Sequence, residues 1–559
     1  MAQPLTKTCQ TCFRAKIKCA STQQSGKCDR CLRLGRGCVF PPSRRKIGAS
    51  KAATSAVPLG PEAEMTSRPS SQSPFASGLL SAEAGQALLQ TYTFKMMARF
   101  PFVVISERSV DELQVKQPAL CLAVMTIAAF DNGALRRRLG HMFSDLVAER
   151  ITRGKFASLD LLQALLVQLA WAHYQPRPLR HTQYLNLAIS IVSDLRLDRP
   201  KNTSLWMVDR PETQRGEWSA DEIRALAGAY YLASSSSVML QKLRCFPFTP
   251  YILEASQALA LQRLTPHDKF IPVMITMQHL IENVDSLAAR HRHMSLNQSF
   301  SARVEALRQE LSYLKGSVNF PLMENKILHL QAHTAELLLN QCATSASIFG
   351  LEHLGDGQYN QTTSAAFLPW LSESILATKS IIDISQAVMP EEQPLVTNLE
   401  WIVLYCGLSL GTRLDIVAAQ PQIQHATRQL RHLSDIKHIL RQVILRMEPS
   451  SADAIDENAD EQVMHGLAKR VKLLQTWHRD RLPHEYRESE TDSTRYTPNN
   501  LSSGGDCDDF TTPALTSSVG LTPEDLGVTD PLLISELLAG LGADANFGDF
   551  SFTLPQAFG

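Results

Sequence analysis

The chain has 559 residues, and its 55 Lys or Arg are matched by 55 Asp or Glu, so its formal net charge is zero. That zero hides a basic N-terminal end and an acidic C-terminal end. No stretch reaches the roughly 18 consecutive apolar residues of a membrane span, and the opening MAQPLTKTC has no hydrophobic region or cleavage signal for export, so no membrane partner is expected.

Six of the eleven cysteines come first. Cys9, Cys12, Cys19, Cys28, Cys31 and Cys38 are separated by two, six, eight, two and six residues. Two tetrahedral zinc ions need eight ligand positions, and six thiolates supply them only when two of the sulfurs bridge both metals. In two halves of the form Cys-x2-Cys-x6-Cys, the first cysteine of each, Cys9 and Cys28, is the natural bridge. Disulfides compete, with fifteen pairings open to six cysteines, but an oxidising compartment lacks support. Residues 1 to 46 hold few large apolar side chains, so metal binding and folding are expected to be one process. The expected cofactor is therefore Zn2+, two ions per chain. Cys121, Cys245, Cys342, Cys406 and Cys507 are scattered, four of them in mainly apolar surroundings that fit buried small hydrophobes.

Basic residues crowd between the ligands. Residues 1 to 46 carry eleven Lys or Arg against the single acid Asp29, and a polyanion is the expected partner. In Cys12-Phe13-Arg14-Ala15-Lys16-Ile17-Lys18-Cys19, a short helix starting near Cys12 exposes Lys16 at its leading edge, with Arg14 and Lys18 pointing toward phosphates. Lysine donates to guanine O6 and N7 in the major groove, whereas phosphate contacts fix position. The competing reading is a solvated basic face. Lys27, Arg30, Arg33 and Arg36 read as backbone clamps, and Arg44, Arg45 and Lys46 extend the positive path along the duplex or form part of a nuclear import signal.

The stretch CQTCFRAKIKCASTQQSGKCDRCLRLGRGC, residues 9 to 38, resembles the fungal binuclear zinc-cluster (Zn2Cys6) transcription factors. The resemblance implies two short zinc-bound helices related by a pseudo-twofold axis, bridges at Cys9 and Cys28, and Lys16 as the residue that contacts a CGG triplet of duplex DNA. Phe13 stands where the family usually has Arg, Ala15 where it often has Lys, and Gly26 where a proline is common. The first two remove expected phosphate or groove contacts.

From about Ile47 the chain turns to Ser, Ala, Pro and Gly, as a flexible linker would over residues 47–84. No a/d heptad persists between residues 47 and 90. Monomeric binding, a homodimer made by the larger domain and a heterodimer with another factor all stay open.

Residues 85–485 are long enough for a substantial core, undivided or in two lobes, and their apolar spacing is mostly helical. Residues 158 to 174 begin with Ser158 as a cap. Residues 181 to 197 give Tyr184, Leu185, Ala188, Ile191, Val192 and Leu195 as an inward stripe. Further helices are expected at 115 to 130, 219 to 242, 322 to 345, 398 to 413, 425 to 447 and 463 to 479. RFPFVVI at 99 to 105, YLNLAISIVSDLRLDRP at 184 to 200 and the segment from Trp218 to Ile252 resemble the fungal transcription-factor regulatory domain, which implies a body that restrains or relays activation. Around Glu222 and Arg224 the family has a denser Glu-Arg-Arg character than EIRA. Tyr230, Tyr231, Trp206, Trp218 and Phe246 read first as core and second as the lining of a small-molecule pocket.

Nothing points to catalysis. GxGxxG, P-loop, HExxH and GxSxG motifs are missing, and His173, His181, His291 and His293 lack a catalytic metal spacing. Residues 496 to 559 contain no Lys or Arg and nine Asp or Glu. Asp530 caps a short helix from Pro531 to Leu541 that places Leu533, Leu537, Leu538 and Leu541 on one side. Acids holding apolar groups available in a disordered chain, residues 486–559, read as a surface for coactivators or the general transcription machinery.

The expected fold class is thus a small Zn2Cys6 binuclear cluster domain in residues 1–46, a large mainly α-helical domain and a disordered acidic tail. The expected function is a nuclear, sequence-specific RNA polymerase II transcription factor acting as an activator. The position of PFVVI and the compact size resemble regulators of fungal secondary-metabolite gene clusters. A repressor with the same head and a structural zinc protein binding RNA or protein are the alternatives.

Overall fold

Helix starts in this chain are set by short polar residues and prolines just ahead of apolar runs. The computed structural model describes residues 9, 12, 19, 27–35, 38, 73–174, 181–201, 218–240, 246–291, 298–344, 361–420, 423–447 and 462–482. Two compact units result, residues 1–68 and residues 69–559. Among the described residues no strand occurs, as the expected mainly helical class requires.

Unit one contains the short helix α1 (Asp29–Arg33). Unit two opens with α2 (Ala82–Thr91), capped by Ser81 accepting from the Ala84 N–H. Leu80 is already buried, so the expected linker boundary at residue 84 falls inside an ordered helix. Next come α3 (Val110–Lys116) and α4 (Pro118–Ala128), where one helix over 115 to 130 was expected. Pro118 forces the break, because it lacks an N–H and disfavours helical geometry at Gln117.

Then follow α5 (Gly133–Thr152), α6 (Leu159–Ala170), α7 (His181–Leu195) and α8 (Ala220–Met239). Ser158 caps α6 as expected, accepting from the Leu161 N–H at 3.3 Å. The stripe predicted on α7 is buried at Tyr184, Leu185, Ala188, Ile191 and Val192, with Leu195 partly buried against the same core. Ser219 and Glu222 form a reciprocal capping box at the start of α8.

The remaining helices are α9 (Pro250–Gln262), α10 (Ile271–His291), α11 (Gln298–Ser317), α12 (Lys326–Thr344), α13 (Gln361–Gln386), α14 (Asn398–Ala418), α15 (Gln424–Ser434), α16 (Ile436–Met447) and α17 (Gln462–Arg481). A single helix was expected over 425 to 447. Asp435, at φ +29°, breaks it and offers Oδ1 to the His438 N–H at 3.2 Å, capping α16.

The segments that resemble the regulatory domain meet in the main core. Phe100 and Phe102 pack edge to face at 5.1 Å, and Phe102 lies 5.1 Å from the Tyr231 ring of α8. A Cβ on Gly228 would come within 2.6 Å of the Phe102 side chain, so the absence of one lets α8 approach this segment. Tyr230, Tyr231 and Phe246 are core residues, and Trp218 is half-buried with its Nε1 donating to the Arg199 carbonyl; Trp206 lies outside the described residues. The cavity beside Tyr231 measures about 30 Å³, room for a water rather than an effector.

Helix α14 is the one described helix long and apolar enough to cross a membrane, yet 67% of that window is buried inside the fold. It packs against α13, α15, α16 and α17. Arg99 reaches its first turn, donating from Nη1 to Glu400 Oε1 at 2.9 Å while Glu400 Oε2 accepts from the Thr397 N–H at 2.7 Å.

Two buried carboxylates hold the helices in register. Asp268 accepts from Arg224 Nε at 2.8 Å and Nη2 at 2.9 Å, and Asp415 accepts from Arg431 Nε at 2.8 Å and His478 Nε2 at 2.8 Å. Burial alone would raise both carboxyls, but these hydrogen bonds hold them below the usual carboxylate range. Their contribution to stability is therefore present above the ordinary carboxylate value of about 4 and is lost as pH falls through the lower folded value. Asp268→Ala would leave the Arg224 charge buried without this partner, and the helical body is expected to lose about 3–5 kcal/mol in urea denaturation followed by circular dichroism. Arg224→Met combined with Asp268→Leu is expected to recover most of that loss.

Candidate metal centre

Local backbone geometry builds the centre twice. In the first half the Cys12 N–H donates to Cys9 Sγ at 3.4 Å and the Cys9 N–H donates to Cys19 Sγ at 3.4 Å. In the second half the Cys31 N–H donates to Cys28 Sγ at 3.4 Å and the Cys28 N–H donates to Cys38 Sγ at 3.2 Å. The same pair of bonds, at sequence separations of three and ten, recurs in each half, which is the local signature of an internal repeat. Cys28 caps α1 while Cys31 turns inward from it, and Gly35, at φ +60°, takes the chain out of the helix before Cys38.

The sulfurs converge. Cys9 and Cys28 Sγ are 3.7 Å apart, Cys9 and Cys31 3.8 Å, and Cys12 and Cys28 3.7 Å. Two sulfurs about 2.3 Å from one tetrahedral zinc are separated by about 3.8 Å, whereas a cystine bond is about 2.05 Å. All six are free thiols, so the fifteen disulfide pairings find no support.

Two quartets have donor atoms mutually within 4.8 Å: Cys9, Cys12, Cys19 and Cys28, and Cys9, Cys28, Cys31 and Cys38. Cys9 and Cys28 belong to both. The backbone bond from Cys31 to the Cys28 sulfur is the largest influence holding that thiol down, to about 6, and the bond from Cys12 does the same in direction for Cys9. Burial, aided by the neighbouring sulfurs, pushes Cys12 up to about 12. Six sulfurs packed this closely become thiolates together only with cations among them, and the donor set fits two zinc ions per chain.

Of the basic residues expected at the DNA, Lys27 and Arg33 are exposed and Arg30 is half-buried on α1. Arg14, Lys16, Lys18, Arg36, Arg44, Arg45 and Lys46 lie outside the described residues. The N–H···S bonds are the part of the site that side-chain spacing did not reveal, since the donors are main-chain groups.

Away from the cluster the described thiols sit in surroundings that disfavour the thiolate. Burial pushes Cys121 and Cys406 up to about 12 and Cys342 up to about 11, as small hydrophobes; Cys245 and Cys507 lie outside the described residues.

No protein-family model matches the chain. It is similar to transcription factor himD of Aspergillus japonicus, 31% identical over 513 residues that span 85% of this chain and 84% of that protein. It is also similar to transcription factor opdL of Penicillium oxalicum, 22% identical over 61% of this chain and 67% of that protein. Transcriptional regulator alnR of Emericella nidulans is 43% identical over 58 residues, 10% of this chain and 14% of that regulator.

Cys28→Ser touches both quartets, whereas Cys31→Ser touches one. Elemental analysis of the purified protein is expected to find both zinc ions depleted in the first variant and one retained in the second. Two normally bound ions in Cys28→Ser would remove it as a bridge.

Proposed function

Because the chain belongs to the fungal binuclear zinc-cluster transcription factors, we propose that its N-terminal unit reads CGG-type triplets in duplex DNA and that the whole protein activates RNA polymerase II genes. The chain is a DNA-binding transcriptional regulator and not an enzyme. The observation that carries the finer reading is the repeated cysteine scaffold, whose two quartets share Cys9 and Cys28 and whose second half already presents Lys27, Arg30 and Arg33 beside the metal ligands.

In this reading all six cysteines ligate zinc, with Cys9 and Cys28 as bridges. Lys16 contacts the guanines, and Arg14, Lys18, Lys27, Arg30, Arg33, Arg36, Arg44, Arg45 and Lys46 exchange counterions for phosphates. Residues 1–46 form the DNA-binding head, 47–72 the tether, 73–485 the regulatory body, since buried Leu80 and the helix from Ala82 join it, and 486–559 the activation region. The nucleus is the site of action. Homodimers or heterodimers on paired half-sites, and control of a secondary-metabolite gene cluster, complete the proposal.

Zinc supplies the scaffold; recognition belongs to the side chains it holds in place. Lys16→Ala is expected to keep its zinc and to lose about 1–3 kcal/mol of discrimination between CGG and altered triplets, measured by competition binding. An unchanged triplet preference would remove Lys16 as the reader. Equal affinity of residues 1 to 60 for duplex DNA, scrambled duplex and single-stranded RNA would overturn promoter recognition.

Activation has its own test. Residues 496 to 559 fused to an unrelated DNA-binding domain are expected to raise reporter transcription. No rise in a responsive host would favour repression.

A further inference from the structure

Helix α12 carries a histidine pair one turn apart that the regulator's zinc cluster does not use. His329 and His333 stand at i and i+4, and such residues share one face of a helix. Their Nε2 atoms are 3.3 Å apart, with the rings inclined at 50°. Two imidazole nitrogens about 2.0–2.1 Å from one tetrahedral ion are separated by about 3.3 Å, so the pair already has the bite of a chelate.

The surroundings orient it. The His333 Nδ1–H donates to Glu336 Oε2 at 2.7 Å, which leaves the lone pair of His333 on Nε2. A carboxylate behind a histidine in this way fixes tautomer and ring plane at metal centres. Lys315 of α11 donates to the other oxygen of Glu336, so the carboxylate is locked from both sides and the Lys315 charge is balanced rather than aimed at the rings. Burial would raise Glu336, but His333 and Lys315 hold it down to about 2, ionised throughout the working range. Burial, with the neighbouring His333, pushes His329 below its ordinary value and favours the neutral imidazole that a metal requires.

We propose that His329 and His333 form a second kind of metal site on the helical body, taking a divalent transition ion suited to imidazole such as zinc, nickel or copper. Glu336 is a positioning residue. On binding, the Nε2–H···Nε2 hydrogen bond between the rings gives way to two metal–nitrogen bonds, and the proton of His329 moves to Nδ1. The other coordination positions take water or a donor from a bound molecule, because His333 is open to solvent over 20% of its side chain and the described surroundings offer no third ligand atom within reach.

The test uses the full-length protein with both cluster zinc ions in place. Equilibrium dialysis against graded Ni2+, followed by elemental analysis, is expected to load a nickel equivalent while two zinc ions remain. His329→Gln and His333→Gln are each expected to weaken that equivalent at least about tenfold, and Glu336→Gln by about 10–100-fold. His432→Gln, remote in sequence on α15, is expected to leave it unchanged. Circular dichroism and retained zinc establish that each variant is folded. Identical nickel isotherms for the wild type and the folded His329→Gln/His333→Gln double variant would overturn the site, as would the absence of a nickel equivalent in the wild type.

Discussion

Charge crowding among six sulfurs is the constraint on which the N-terminal unit depends. Sulfurs 3.7–3.8 Å apart repel once ionised, and among the described residues of the unit the buried cluster consists of cysteines. Two divalent ions convert that repulsion into attraction and stand in for the missing core. Backbone N–H groups add to the arrangement by donating to four of the six sulfurs, those of Cys9, Cys19, Cys28 and Cys38.

The helical body solves its packing differently. A main core runs from Leu80 to Cys342 and takes in Leu395, and smaller clusters join α13 through α17 to it by way of α12 and α14. Apolar burial of this extent supplies the bulk of the stabilisation, at about 25 cal/mol per Å². The buried Arg224–Asp268 and Asp415–Arg431–His478 groups add alignment rather than strength, since a buried ion pair roughly breaks even against well-packed apolar residues. Arg99 extends the same logic to the first turn of α14.

Much of this was legible in the sequence, and the gaps have physical causes. The six-cysteine spacing specified the ligand set because ligand count and tetrahedral geometry leave little freedom. The stripe on α7 and the Ser158 cap were readable because a buried face and a capping oxygen both recur at fixed offsets. Helices such as α5 and α11 were passed over because charged residues on their outer faces dilute the apolar pattern, although Leu139, Phe143, Leu146 and Val147 of α5 are buried at helical spacing. The split between α15 and α16 turned on one backbone angle at Asp435. The His329 and His333 pair is not marked by the amphipathic pattern of its helix, since its meaning depends on ring orientation and on Glu336 and Lys315 beside it.

The duplicated N–H···S bonds give four of the cysteines a second task beside metal ligation. The N–H groups that donate to Cys9, Cys19, Cys28 and Cys38 Sγ are those of Cys12, Cys9, Cys31 and Cys28, so ligand and donor reside in the same few residues. Serine at one of these four donor positions would remove a sulfur and keep its N–H donor, whereas proline would remove both.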